Sequence, residues 1–234
     1  MLMLAMTLAL TLTANMAKAD DLDDGLVAYL SGDYATAFNL FKPLAEQGDA
    51  VAQTSLGLMY QNGEGVRKDA KEAVRWYRKA ADQGDAYAQH NLGFMYDEGE
   101  GVLEDKKEVV RWYRLAADQG YAPAQTNLGV MYANGEGVIK DDKEAVKWYR
   151  LAADQGNADA QNNLGLMYGN GDGVLQDNKK AHMWFNIARS NGNDLANDNI
   201  ERLTGGIFSR MTPADISEAE NMARQCLASN YKDC

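Results

Sequence analysis

Residues that commonly carry enzyme chemistry are scarce in this chain. Its 234 residues include two cysteines and two histidines. His90 and His182 are far apart and neither cysteine has a histidine near it, so the sequence supports no thiol nucleophile and no cluster with the spacing of metal ligands. No G-x-S-x-G motif is present. We therefore predict that the protein is not an enzyme, with no catalytic residue, no metal site and no cofactor.

Positive charge is also in short supply. The chain has 23 basic and 34 acidic residues, which gives a formal net charge of −11. A protein of this charge is repelled by phosphate backbones and by anionic lipid head groups. Beyond the first nineteen residues, no apolar run is long enough to span a bilayer. We therefore expect no nucleic-acid partner and no membrane insertion of the mature protein.

The first nineteen residues read as a secretion signal. An apolar run from Leu2 to Thr13 is followed by Ala17-Lys18-Ala19, a small-x-small cleavage site. No basic residue precedes the run, but the run is short for an uncleaved membrane anchor. The sequence therefore predicts a signal peptide over 1–19, a mature protein that begins at Asp20, and a periplasmic or secreted location.

The middle of the chain carries a 36-residue repeat without insertions or deletions. Two pairs of residues recur at that step: Trp76-Tyr77, Trp112-Tyr113, Trp148-Tyr149 and Trp184-Phe185, and Leu56-Gly57, Leu92-Gly93, Leu128-Gly129 and Leu164-Gly165. Self-similarity at this period is typical of an array of small units, each of which packs on its neighbours.

Each repeat has the pattern of two helices. In residues 49–84, apolar residues at helical spacing around Leu56 predict a first helix, which Gly63-Glu64-Gly65 ends. Asp69 and Glu72 form the signature of a capping box at the start of a second helix. That helix carries an apolar stripe around Trp76. Short connections predict antiparallel neighbours.

These residues resemble the Sel-1-like repeat family, a relative of the tetratricopeptide repeats. The family pattern is A-x-x-x-L-G-x-x-Y, then G-x-G-V, then D-x-x-x-A-x-x-W-Y/F-x-x-A-A-x-x-G. Residues 50–83, 86–119, 122–155 and 158–191 match nearly every fixed position, although Val109 replaces an alanine. The resemblance implies an all-α fold, a right-handed α-solenoid of antiparallel helix pairs, and we expect a monomer.

The flanking segments extend this pattern. We predict a degenerate N-terminal helix pair over 20–48, four 36-residue repeats over 49–192, and C-terminal capping helices over 193–234. The last helix should begin at Thr212-Pro213. Cys226 and Cys234 would form a disulfide in an oxidising compartment, or Cys226 would be a small buried apolar residue.

A partner-binding groove follows by analogy with tetratricopeptide repeats, in which the first helices line a concave face. The predicted protein-binding residues flank the Leu-Gly pairs: Thr54, Leu58, His90, Asn91, Phe94, Thr126, Asn127, Val130, Asn162, Asn163 and Leu166. Asn91, Asn127 and Asn163 share one repeat position. An asparagine both donates and accepts hydrogen bonds, so these residues would bind an extended peptide backbone or would bond adjacent helices to each other.

The sequence thus favours a non-catalytic scaffold or adaptor of the cell envelope that binds a protein or peptide. The alternative is a cell-wall-related hydrolase or a glycan-binding protein, since some cysteine-rich relatives resemble penicillin-binding proteins or β-lactamases. Those relatives carry cysteine pairs within each repeat, and the repeats of this chain contain none.

Overall fold

A computed structural model describes residues 21–205, 211–232 and 234. All regular structure in these residues is helical, which confirms the all-α prediction. The chain forms two compact units, 1–105 and 106–234. The predicted signal peptide lies outside the described residues.

The described part of the first unit consists of consecutive helices that pack on one another. They are α1 (21–30), α2 (Tyr34–Glu46), α3 (Ala50–Asn62), α4 (Ala70–Asp82) and α5 (Ala86–Glu98). Each of α2, α3 and α4 packs against the helix that follows it. We call α1, α3 and α5 first helices and α2 and α4 second helices, after their places in the repeat.

The second unit continues the same alternation. Its helices are α6 (Lys106–Asp118), α7 (Ala122–Asn134), α8 (Asp142–Ala153), α9 (Ala158–Asn170), α10 (Asn178–Ser190), α11 (Leu195–Thr204) and α12 (Pro213–Ala228). Consecutive helices from α6 to α11 pack in pairs, and α12 packs on α10. The first helices here are α7, α9 and α11.

The Leu-Gly pair lets the two helices of a repeat approach closely. Gly57 lies on the ring of Tyr77, and Gly129 lies on the ring of Tyr149. A Cβ atom at either glycine would come within 2.6 Å of a ring carbon, which no real side chain tolerates. In these two repeats the glycine and the aromatic residue therefore form one contact.

The second glycine of each G-x-G turn joins its repeat to the preceding one. Gly65 packs on the carbonyl of Tyr34, and Gly173 packs on the carbonyl of Asp142. Both glycines have positive φ, 67° and 69°. The turn was predicted only to end a helix, but its second glycine also meets the start of the second helix in the repeat before it.

A buried glutamine makes a further contact between repeats. The four glutamines at this repeat position, Gln53, Gln89, Gln125 and Gln161, are at most 4% exposed. Each donates from Nε2 to the carbonyl oxygen eight residues earlier, at 3.0 to 3.1 Å. These carbonyls lie near the C-terminal ends of second helices, where each also accepts from the backbone N–H of the glycine three residues later. The sequence analysis did not anticipate this role.

The capping box predicted at the second helices is wrong in one half. Asp69 accepts from the amides of Lys71 and Glu72, as a cap should. The backbone N–H of Asp69, however, donates to the carbonyl of Tyr60 at 2.9 Å, so it does not bond to Glu72. The Glu72 carboxylate instead pairs with Arg75. A complete box does occur between Thr212 and Asp215 at α12.

The C-terminal helix α12 covers the end of the second unit. Its buried residues Ala219, Ala223 and Cys226 belong to the same apolar cluster as the residues of α9 and α10. Cys226 and Cys234 are joined by a disulfide, with their Cα atoms 5.1 Å apart. The loop between them places the Tyr231 hydroxyl 2.9 Å from Asn191 Nδ2. The disulfide therefore closes a loop that contacts the end of α10.

Reducing this disulfide should destabilise the C-terminal end of the second unit. A loop of this length stabilises the folded state by about 2.5 kcal/mol on the chain-entropy model. We expect dithiothreitol to lower the midpoint of urea unfolding in the wild type and to have no further effect on a Cys234→Ser variant. Equal midpoints for the oxidised and reduced wild type would contradict this prediction.

Candidate functional site

The first unit contains a mainly apolar pocket on its first helices, which we call the N-terminal pocket. It has a volume of about 270 Å³ and is lined by Leu26, Tyr29, Val51, Thr54, Ser55, Leu58, Asp85 and Tyr87. These residues come from α1, α3, α5 and the N-cap of α5. Two of its walls, Val51 and Tyr87, are large apolar residues with more than 40% of their surface exposed. The pocket is thus open and able to bury apolar surface of a ligand.

Three hydrogen bonds fix the polar groups of the N-terminal pocket. Asp85 Oδ1 accepts from the backbone N–H of Ala88 at 2.7 Å and from the Thr54 hydroxyl at 3.2 Å. The Tyr29 hydroxyl donates to Glu64 Oε2 at 2.6 Å. Desolvation and the hydrogen bond to Glu64 raise the pKa of Tyr29, so its phenol stays protonated at physiological pH. Carboxylates are therefore the charged groups in and beside this pocket.

A larger and more polar depression lies in the second unit, and we call it the C-terminal cleft. It has a volume of about 960 Å³ and is lined by Asn162, Asn163, Leu166, Leu195, Asp198, Asn199, Glu201, Arg202 and Gly205. Most of these residues lie on α9 and α11. Asn199 Nδ2 donates to Asn162 Oδ1 at 2.8 Å. That bond connects two successive first helices.

The predicted groove residues of the first unit fall into two groups. Thr54 and Leu58 line the N-terminal pocket. His90 and Asn91 are half-buried on α5, and Phe94 is 37% exposed, but none of these three lines the pocket. Burial lowers the pKa of His90, so its ring is neutral at neutral pH and adds no positive charge to this surface.

The predicted groove residues of the second unit are divided in the same way. Asn162, Asn163 and Leu166 line the C-terminal cleft. Asn127 and Val130 are half-buried on α7. Thr126 is buried, with its hydroxyl 3.2 Å from Asn157 Oδ1, the cap of the next first helix. Thr126 thus has the same contact as Thr54 in the first unit.

The asparagine ladder stays a prediction. Asn91 belongs to the first unit, whereas Asn127 and Asn163 belong to the second. All three are half-buried, and Asn163 lines the C-terminal cleft. Neither peptide binding nor bonding between helices is decided by these positions.

Several lining residues were missed from the sequence. Tyr29 and Leu26 lie on α1, outside the four in-phase repeats, so the periodicity gave no signal for them. Val51 and Tyr87 share one repeat position. Both are apolar but lie outside the apolar stripe of their helix, and this signal could have identified them. Asp85, the N-cap of α5, was also missed.

An S-x-x-K tetrad, Ser229 to Lys232, was also missed. It lies at the end of α12, where the Ser229 hydroxyl donates to the carbonyl of Cys226 at 2.9 Å. Among the described residues, no group of three or more His, Cys, Asp or Glu side chains could hold a metal ion. A search of the same residues found no helix that is long and apolar enough to cross a membrane.

Positive charge is separated from the first helices. In the described residues, α1, α3, α5, α7 and α9 contain no lysine or arginine. Every second helix carries at least one, and α4 carries Lys71, Arg75, Arg78 and Lys79. The α1 segment holds three aspartates, and α5 ends in Asp97-Glu98. The first helices α1, α3, α5, α7 and α9 are therefore neutral or negative, whereas α11 adds Arg202 to the C-terminal cleft.

Comparisons with known proteins agree with the repeat pattern. A family model described as Sel1 repeat matches residues 16–49, 50–85, 86–121, 122–157 and 158–193, which is more than half of the chain. No match was found among curated proteins. A Sel1 repeat protein from Oxalobacter formigenes is 33% identical, with a TM-score of 0.75 and with 87% of this chain and 84% of that chain covered.

A second solved structure is a protective antigen present in uropathogenic Escherichia coli strains, which displays an SLR fold. It is 32% identical to this chain with a TM-score of 0.76. The alignment covers 93% of this chain and 48% of the antigen, so this chain spans about half the length of that relative.

Proposed function

Because this chain belongs to the Sel1-repeat family, whose members are known as protein-interaction scaffolds, we propose that it is a non-catalytic scaffold or adaptor of the cell envelope. In this role it binds a protein or peptide through its first helices. Family membership and the helical repeats confirm the resemblance and the α-solenoid fold predicted from the sequence. Fold alone does not fix function, so the remaining support comes from the surfaces themselves.

The open N-terminal pocket is the observation that carries the proposal. The aromatic residues that recur in the second helices are buried in the core: Trp76 and Tyr77 are at most 3% exposed, and Trp184 is fully buried. First helices, by contrast, present accessible apolar and amide groups in the N-terminal pocket and in the C-terminal cleft. Open concave sites with few polar groups are the usual places for ligands to bind.

The cellular location and organisation belong to the same proposal. A signal peptide over 1–19, a periplasmic or secreted mature protein and a monomeric state rest on the sequence features given above. So does the division into a helix pair over 20–48, four repeats over 49–192 and capping helices over 193–234. Fractionation of the native host and sequencing of the mature N-terminus would contradict the location if Met1 were retained on a cytosolic protein.

Partner capture tests the binding surface. We expect alanine substitution of Asn91, Asn127 and Asn163 together to weaken binding of a partner identified by proximity labelling by about 2–4 kcal/mol, if each residue donates a net hydrogen bond. Helical content and the thermal midpoint should change less, because these side chains are only half-buried.

The control is a second variant on the opposite set of helices. Leu115 and Leu151 are 39% and 42% exposed at one position of two second helices, and their replacement with alanine should leave capture unchanged. Loss of the helical melt in the triple asparagine variant would show that the ladder is structural. If that variant captures as much partner as the wild type does, the partner binds to another surface. Retention on purified peptidoglycan, with no protein partner, would support the glycan-binding alternative.

A further inference from the structure

We propose that the N-terminal pocket binds a single large apolar side chain of an extended peptide whose neighbouring residues are lysine or arginine. This inference rests on the proposed function, since it assumes that the first helices bind a peptide. It adds the chemistry of the segment that they bind. Three properties of the first unit carry it: the size of the pocket, the composition of its walls and the distribution of charge around it.

The size of the N-terminal pocket selects one side chain. Its volume of about 270 Å³ lies just below the range of roughly 300–1,000 Å³ that is typical of sites for small molecules and cofactors. The walls formed by Leu26, Val51, Leu58 and Tyr87 are mainly apolar, and Tyr87 is 41% exposed. An aromatic or large aliphatic side chain matches this space and would remove the exposed walls from water.

The charge at the rim selects a basic neighbour. Both hydrogen bonds to the Asp85 carboxylate engage Oδ1. Among residues 21–105, no lysine or arginine forms an ion pair with Asp85 or with Glu64. Within residues 21–105, all lysines and arginines lie on α2, on α4 or in the loop before α4. The first helices thus present uncompensated negative charge beside an apolar pocket, which complements a cation next to an apolar group.

The repeat supplies a variant that removes this charge without removing the cap. Asn157 occupies the position of Asp85 two repeats later, where its Oδ1 accepts from the N–H of Ala160 and lies 3.2 Å from the Thr126 hydroxyl. Asparagine caps helices about as well as aspartate. Asp85→Asn should therefore fold normally and differ from the wild type in one charge at the pocket.

The test is a titration of the purified protein with short capped peptides, followed by amide chemical shifts. The probe is acetyl-Gly-Lys-Phe-Lys-Gly-amide. Its two comparison peptides replace the phenylalanine with alanine or both lysines with glutamate. We expect the probe to shift the resonances of Val51, Leu58 and Tyr87, and we expect each comparison peptide to bind at least about tenfold more weakly.

Matched variants place the binding in the pocket. Tyr87→Ala should weaken binding of the probe by about tenfold or more, as truncation of an aromatic anchor does. Leu30→Ala shortens a side chain of α1 that is 85% exposed and does not line the pocket, so it should have little effect. Asp85→Asn should weaken binding of the probe by about threefold to tenfold and reduce the salt dependence of that binding. Asp49 is the N-cap of α3 and does not itself line the pocket. Asp49→Asn should therefore leave the affinity for the probe unchanged.

The outcomes separate this inference from the proposed function. Absence of binding by the probe, or equal binding of the glutamate peptide, overturns the inference. So does binding that depends on Leu30 but not on Tyr87. If any of these results is obtained while a protein partner is still captured in cells, the scaffold function stands and the pocket is not the peptide site. If the probe binds in the pocket but no protein partner is captured in cells, the inference about the pocket stands and the scaffold function is contradicted.

Discussion

Replacing Gly173 with alanine should lower the free energy of unfolding by about 2–5 kcal/mol. The backbone at Gly173 has φ of 69°, a conformation that costs other residues about 1–2 kcal/mol. A Cβ atom there would also overlap the Asp142 carbonyl, with the carbonyl carbon 2.5 Å away. That overlap adds about 1–3 kcal/mol because backbone atoms of a helix start cannot easily move aside.

The matched control is Gly192→Ala. Gly192 has φ of 94°, but a Cβ atom there would have no neighbour within 4 Å. Its replacement should therefore cost only the backbone strain, about 1–2 kcal/mol. Urea unfolding followed by circular dichroism measures both variants. Equal losses would mean that the turn of one repeat does not pack on the second helix of the repeat before it.

Replacing Gln161 with methionine should lower the free energy of unfolding by about 2–3 kcal/mol. Gln161 is fully buried, with Nε2 3.0 Å from the carbonyl oxygen of Ala153. Its Oε1 accepts from Asn191 Nδ2 at 2.8 Å. Methionine has a similar shape but makes neither bond, and the two lost hydrogen bonds contribute about 1–1.5 kcal/mol each. The Ala153 carbonyl keeps its other partner, the backbone N–H of Gly156 at 2.9 Å.

Gln155→Met serves as the comparison for this substitution. Gln155 is exposed, and its Nε2 bonds to Gln125 Oε1 at 2.8 Å and to the carbonyl oxygen of Leu151 at 3.1 Å. Water can replace these bonds, so the loss should stay within about 1 kcal/mol. Hydrogen exchange at the end of α8 would reveal the local effect of the Gln161 substitution. Similar protection of these amides in both variants would show that the buried bond contributes little.

The helices were predictable because their signals are local. Leucine and alanine at helical spacing, glycine at the ends and aspartate at the N-cap of each second helix appear within one repeat. The contacts made by Gln161 and Gly173 were not predictable in the same way, because their partners lie in the preceding repeat and are backbone carbonyls. A backbone carbonyl leaves no mark on the sequence. The bond predicted from the Asp69 amide to Glu72 is wrong for a related reason, since that amide donates to the carbonyl of Tyr60 instead.

The candidate site was predicted in part. Thr54 and Leu58 follow from their place beside a Leu-Gly pair, and both line the N-terminal pocket. The opposite wall comes from Leu26 and Tyr29 of α1, a segment that the family model matches but that lacks the Leu-Gly pair. Periodicity could not identify those residues, because the pocket forms where the regular array meets a helix of different sequence.

The contacts of Gly173 and Gln161 restrict how the length of such a chain can change in evolution. Gly173 meets a carbonyl 31 residues earlier, and Gln161 meets one eight residues earlier. Duplication or loss of a whole 36-residue segment restores both separations, wherever the segment begins. Gain or loss of a single residue within a repeat moves a glycine or glutamine out of reach of its carbonyl. Genes for such arrays should therefore tolerate unequal recombination between repeats and reject short in-frame insertions into their helices.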